Sequence, residues 1–93
     1  LITDMSNLFY NKHEFNDNIN GWDVSSVTNM NHMFYDCNVF NQSLNKWDVS
    51  GVVDMSIMFS GCHEFNQCLD KWDVCSVNIW IICFIIVINS TSL

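Results

Sequence analysis

Asp23, Asp48 and Asp73 stand 25 residues apart, each between a tryptophan and a valine. If successive 25-residue segments lie side by side, these carboxylates form a column with neighbours about 5 Å apart. Carboxylates so close together can gather a hard cation such as calcium, which takes several oxygen ligands. They can instead accept hydrogen bonds from the backbone of the following turn, which offsets the repulsion between like charges. The glycine-spaced calcium repeat is missing here, so the turn role is the expected one. Asn16, Asn41 and Asn66 form a second column, each following a phenylalanine. A stacked asparagine ladder satisfying turn backbone is its expected role.

The chain has five cysteines and three histidines. Cys37 and Cys62 share a column, and together with His13 and His63 they superficially suggest zinc ligands. No C-x-x-C pair is present and the spacing matches no zinc module. Cys68 stands where Ser43 does, Cys75 where Ser50 does, and Cys83 falls in a methionine column. Free structural thiols are the expectation, with a Cys37–Cys62 disulfide and a metal site as open alternatives. The odd count leans away from an oxidised secreted domain. His13 and His63 fall at turn positions and His32 on a polar side, so all three are expected in solvent. No nucleophile, base and orienting group assemble from the pattern. With Gly21, Gly51 and Gly61 as the only glycines there is no phosphate-cradling loop. The chemistry-bearing residues therefore predict no catalytic site and no cofactor.

What must position these residues is a tandem array. Trp22/Trp47/Trp72, Phe15/Phe40/Phe65, Val24/Val49/Val74, Val27/Val52/Val77, Met5/Met30/Met55, Phe9/Phe34/Phe59 and Ile19/Leu44/Leu69 all repeat at the same offset of 25. One half of each unit reads Leu44-x-x-Trp47-x-Val49, the spacing of a leucine-rich-repeat strand with its apolar residues two apart. The other half reads Val27, Met30, Met33, Phe34, intervals that define one face of a helix. Ser25 or Ser26 and Ser50 serve as its N-caps, and Asp36-Cys37-Asn38 or Ser60-Gly61-Cys62 as its turn. The predicted fold class is an α/β, leucine-rich-repeat-like solenoid: short parallel strands stacked, with one short helix per repeat and right-handed crossovers. On this reading 1–14 is the helical half of a preceding repeat, 15–39 and 40–64 are repeats, 65–88 is a degenerate last repeat and 89–93 a polar tail. The whole is expected to be a piece of a longer solenoid.

Composition narrows the partners. The chain has 93 residues, 49% hydrophobic and 14% charged, with a net charge of −7. Its only basic residues apart from histidine are Lys12, Lys46 and Lys71. A surface that tracks phosphates needs clustered Lys and Arg, so nucleic acid and anionic membranes are poor partners. So apolar a chain is not a disordered one.

The string Phe-Asn-x-x-Ile/Leu-x-x-Trp-Asp-Val-Ser-x-Val-x-x-Met-x-x-Met-Phe, carried by Phe15–Phe34 and Phe40–Phe59, resembles the roughly 25-residue repeat of bacterial surface proteins. That repeat is common in mycoplasma lipoproteins and is grouped with BspA-like leucine-rich-repeat proteins. The resemblance covers about Ile2 to Val77. It implies surface display, adhesion or protein binding, a cell-surface or extracellular location, and no catalytic residues.

The pattern breaks after Val77. Ile79 to Ile88 is an apolar run in which isoleucine replaces the polar face. Its ten residues are too few for a transmembrane helix, which needs about 17–25. A buried final repeat half is the expected role, with a local strand, a self-association or membrane-contacting segment, or a reading-frame change as alternatives.

The Trp, Met and Phe columns are then core, and recognition falls to residues beside the strands: Asp23, Asp48 and Asp73 with Lys46 and Lys71. A protein or glycan ligand is the expected partner, basic or calcium-bridged, with salt-sensitive affinity. Two rivals stand beside this reading: a structural spacer or degenerate fragment with no binding role, and a metal- or redox-responsive Cys/His module.

Overall fold

In the computed structural model, residues 1–74 are described, and Val77 and the 79–88 run lie outside them. The described residues contain no helix and no extended strand, only two isolated parallel bridges, Asp4 with Asn29 and Asn29 with Asp54. The expected α/β solenoid, with a helix and a strand per repeat, is therefore wrong. In its place the chain winds through consecutive tight turns. We call residues 4–28 layer 1, 29–53 layer 2 and 54–74 layer 3.

The turns follow the apolar spacing. In layer 2 the amides of Met33, Cys37, Phe40, Trp47 and Val52 donate to the carbonyls of Met30, Phe34, Cys37, Leu44 and Val49, three residues back. Layers 1 and 3 repeat most of these bonds, for example Trp22 to Ile19 and Trp72 to Leu69. An interval of three is shared by a helical face and by the two ends of a hydrogen-bonded β-turn. The sequence pattern had that ambiguity, and the turns resolve it: both turn ends point inward.

Two facts exclude a helix through Met30–Phe34 and Met55–Phe59. His32 and Ile57, with Asn7 in the same column, hold positive φ (55, 57 and 60), and Asn11, Asp36 and Gly61 are left-handed too. Left-handed residues interrupt a right-handed helix. In addition, alternate amides leave the layer altogether. Those of Met5, Asn7, Phe9 and Asn11 donate to the carbonyls of Asn29, Asn31, Met33 and Tyr35, and those of Met30, His32, Phe34 and Asp36 to Asp54, Ser56, Met58 and Ser60, at 2.7–3.0 Å. Every such bond runs from a layer's N–H to the next layer's C=O.

Side chains inside the layers complete the stack. Phe9, Phe34 and Phe59 stack with ring centroids 5.5 Å apart, and Phe15, Phe40 and Phe65 at 5.5 and 5.8 Å. Trp47 and Trp72 are nearly parallel, 6.5 Å apart. Each of these indoles also donates Nε1–H to the previous layer, Trp47 to Ile19 O and Trp72 to Leu44 O, both at 2.9 Å. The core is thus a set of columns: Met30, Met33, Phe34, Phe40, Leu44, Val49 and Val52 are all buried in layer 2. Among the described residues every buried side-chain N or O atom has a hydrogen-bond partner.

Candidate functional site: the turn-anchored aspartate face

The face proposed from sequence is built by one local device. Asp23 Oδ1 accepts the Ser25 amide at 3.0 Å and the Ser25 hydroxyl at 2.6 Å. Asp48 repeats this with Ser50 at 3.1 and 2.6 Å. This side chain-to-backbone turn is what Asp-Val-Ser encodes, since Asp reaches the amide two residues on. Asp73 shares the exposed side. The bonds from Ser25 and Ser50 hold the Asp23 and Asp48 carboxyls below the usual carboxylate range. At Asp48 the charge of Asp23 opposes that shift, which places the two charges on one field. Both stay ionised near neutral pH, side by side and exposed.

Lys46 and Lys71 lie two residues before Asp48 and Asp73 in the sequence. Both are exposed, and the Lys46 amide is fixed by a 3.0 Å bond to Asn20 Oδ1. Asn20 in turn donates its Nδ2 to Asn45 Oδ1 at 2.9 Å, tying layer 1 to layer 2. The asparagine column acts the same way: the Asn41 amide donates to Asn16 Oδ1 at 2.8 Å, and the Asn66 amide to Asn41 Oδ1 at 2.9 Å. Gln42 and Gln67 donate to the Asn16 and Asn41 carbonyls. The Oδ1 atoms of Asn16 and Asn41 are thus occupied with backbone of the next layer.

Sequence reasoning missed a second column of the same kind. Asp4, Asn29 and Asp54 accept the amides of Ser6, Asn31 and Ser56 at 2.8, 2.9 and 2.9 Å. The Ser6 and Ser56 bonds hold Asp4 and Asp54 below the usual carboxylate range. The signal was present as Asp/Asn-x-Ser/Asn at an offset of 25, hidden where a helix was expected. Also missed was an aromatic patch, with Tyr10 stacked on Tyr35 at 4.8 Å and the His32 ring 5.6 Å from Tyr35. His32 is half-buried there, not fully in solvent.

Cys37, Cys62 and Cys68 are free thiols, and Cys75 and Cys83 lie outside the described residues. Cys37 Sγ–H donates to Phe9 O at 3.0 Å and Cys62 Sγ–H to Phe34 O at 2.9 Å. Burial pushes the Cys37 thiol up to about 11 and the Cys62 thiol up to about 12. These are packed donors between layers, poor nucleophiles and poor thiolate ligands. Among the described residues no three His, Cys, Asp or Glu side chains converge to hold a metal ion. No helix among them is long and apolar enough to cross a membrane.

The comparison with known families settles membership. The family described as "Mycoplasma protein of unknown function, DUF285" matches residues 1–85. The chain belongs to this family. No curated protein and no solved structure matches it. In this DUF285 chain the chemistry therefore has to be read from its own surface: the exposed Asp23 and Asp48 carboxylates, each tied to a serine two residues on.

Proposed function

We propose that the chain is a non-enzymatic binding module displayed on a mycoplasma-type cell surface, and that its partner docks on Asp23, Asp48, Asp73, Lys46 and Lys71. One observation supports the reading most directly. The Asp23 and Asp48 carboxyls are exposed, ionised and immobilised by two bonds each from Ser25 and Ser50. A charge held in one rotamer loses little side-chain entropy on binding, which is how preorganised polar groups add affinity. Membership in a mycoplasma family is consistent with surface display and supports nothing finer. The partner that fits is a basic segment of protein, drawn in by the −7 net charge and sensitive to salt.

The rival redox reading needs accessible thiolates, and the buried Cys37 and half-buried Cys62, both donating to carbonyls of the layer before, do not supply them. The test uses immobilised protein and poly-L-lysine as probe. Changing Asp23, Asp48 and Asp73 together to Asn keeps a turn acceptor while removing three charges. Changing Glu14 to Gln with Asp17 and Asp70 to Asn gives a control of equal net charge. We expect the first triple variant to lose binding more than the second. Equal loss in both would reduce the face to bulk charge and leave the spacer reading.

A further inference from the structure

Asn20 is the only asparagine in the chain that is followed by glycine. At an asparagine the backbone nitrogen of the next residue can attack the side-chain carbonyl carbon, and a next residue without a Cβ leaves that approach open. Asn20 and Gly21 are the central pair of a turn closed by the Trp22 amide on Ile19 O at 3.1 Å. Gly21 lies on the flank of the stack, where Lys46 and Lys71 are exposed in the same column. A Cβ built on Gly21 would meet nothing within 4 Å.

The fold sets a restraint against this reaction. Asn20 Oδ1 accepts the Lys46 amide at 3.0 Å, and Asn20 Nδ2 donates to Asn45 Oδ1 at 2.9 Å. Both ends of the carboxamide are thus tied to layer 2. The Asn20 amide also donates to Asn18 Oδ1 at 3.0 Å, which fixes the entry to the turn. Closing a five-membered ring onto the Gly21 nitrogen turns the carboxamide about its Cα–Cβ and Cβ–Cγ bonds, and that motion releases both contacts with layer 2. In layer 2 the equivalent Asn45 is followed by Lys46, and in layer 3 the column holds Asp70.

We propose that Asn20 is a modification site, the deamidation centre of the chain, with the clamp to Asn45 and Lys46 as its gate. When the clamp opens, the Gly21 amide nitrogen gives its proton to water and bonds to Asn20 Cγ. The Cγ–Nδ2 bond breaks, and Nδ2 leaves as ammonia with a proton from water. Water then opens the succinimide at either carbonyl, giving aspartate or isoaspartate, with no oxidant or reductant involved. Either product adds one negative charge three residues before Asp23. Aspartate keeps an oxygen for the Lys46 amide but loses the donor to Asn45, and it matches Asp70, the residue that layer 3 carries in this column. Isoaspartate puts an extra backbone atom into the Ile19–Trp22 turn and so opens it. The proposal is independent of the docking role of the aspartate face.

Peptide mapping of the full chain, held at mildly alkaline pH with and without urea, tests it by mass and by chromatographic separation of isoaspartate. In urea Asn20 should convert before every other asparagine. In the folded chain its conversion should be at least about 30-fold slower, the rate equivalent of two neutral hydrogen bonds. Gly21→Ala should suppress conversion in both states. Asn45→Ala removes the acceptor for Nδ2 and should raise the folded rate about fivefold, whereas Asn45→Asp keeps an acceptor and should stay at the parent rate. Another asparagine converting first in urea overturns the site. Equal rates with and without urea, or an Asn45→Ala rate no higher than the parent's, overturn the gate. A rise of the same size in Gly61→Ala, which strains the contact between layers 2 and 3, also overturns it, because global unfolding would then be the route.

Discussion

Gly61 is the sharpest place to test the layered turns. Its φ is +79, and a Cβ there would lie 2.0 Å from Asp36 Oδ1 and 3.1 Å from Asp36 Cα. Asp36 is the residue one layer back in the same column, and it too is left-handed, at φ 58. Gly61→Ala therefore carries two separable costs. Placing an L-residue in the left-handed region costs about 1–2 kcal/mol. Moving the Asp36 carboxylate out of the way costs about 0.5–1.5 kcal/mol for a displaced rotamer. Together they predict a loss of roughly 2 kcal/mol. Asp36→Gly alone should stabilise by about 0.5–1 kcal/mol, since glycine accepts that φ freely. In the Asp36→Gly background the Gly61→Ala cost should fall to the left-handed part alone, so the double variant shows a coupling of about 1 kcal/mol. Urea unfolding followed by tryptophan fluorescence measures all four proteins. Thermal unfolding gives a second reading, because 1 kcal/mol moves Tm by about 4–8 °C at this size. Additivity within about 0.3 kcal/mol would refute the reasoning: the two residues would not touch, and layers 2 and 3 would not be stacked in this register.

Three further outcomes follow from the same geometry. Trp47→Phe keeps most of the ring stack but removes the Nε1 donor at 2.9 Å from the Ile19 carbonyl, which still accepts the Trp22 amide, so it should cost about 0.5–1.5 kcal/mol in urea unfolding, while Trp22→Phe should be near neutral. Asp4, Asp23, Asp48 and Asp54 have carboxyls lowered by serine hydrogen bonds, so their stabilisation is present above the ordinary carboxylate pKa and is lost as pH falls through the lowered values. A pH series of Tm should then decline on the acid side, and decline less with Ser25 and Ser50 changed to Ala. Native thiol labelling near neutral pH should modify Cys68, which is exposed, and spare Cys37 and Cys62 until the chain unfolds. Their raised thiol pKa values, about 11 and about 12, give stability that is full below the ordinary thiol range and fades as pH rises toward them.

How much of this was legible in the sequence depends on which physical signal carried it. The columns were legible because identity at an offset of 25 places like residues together, and the hydrogen bonds between Asn16 and Asn41 or Asn41 and Asn66 span that offset. The inward residues were legible too: Trp47 and Val49 are buried and Asp48 between them is exposed. The backbone that joins them was not. Met30, Met33 and Phe34 satisfy a helical face and a pair of turn ends equally well, and apolar spacing records only which residues point inward. What could have decided it was the polar column between them. Asn7, His32 and Ile57 mix a residue that tolerates left-handed φ with a β-branched one that does not, so the helical half looked permissible. The column of Asn11, Asp36 and Gly61 carried the stronger signal, since those types are enriched in left-handed turns, and it was read as a helix end.

The all-turn backbone also explains why the surface can vary while the core does not. In a helix or a strand, each exposed residue contributes propensity to the element that carries it. Here the layer is fixed by other means: buried columns, side-chain turns at Asp23 and Asp48, and indole and thiol bonds to the layer before. Between those anchors Asn20 and Asn45 still join the layers, whereas the exposed side chains at positions 21, 46 and 71 carry little of the folding cost. Asn20-Gly21, Asn45-Lys46 and Asp70-Lys71 occupy one such interval and differ in each layer, and Lys12 replaces a column cysteine without disturbing the turn from Lys12 O to the Phe15 amide. Selection can therefore act on charge at these sites almost independently of stability. Exchanging Lys46 with Gly21, as Gly21→Lys with Lys46→Gly, should leave Tm within a few degrees of the parent, the small effect expected of surface changes of about 0.5 kcal/mol, while moving positive charge from layer 2 to layer 1. A large fall in Tm would show that the interval is part of the fold after all, and the aspartate face would lose its claim to be a surface free to specialise.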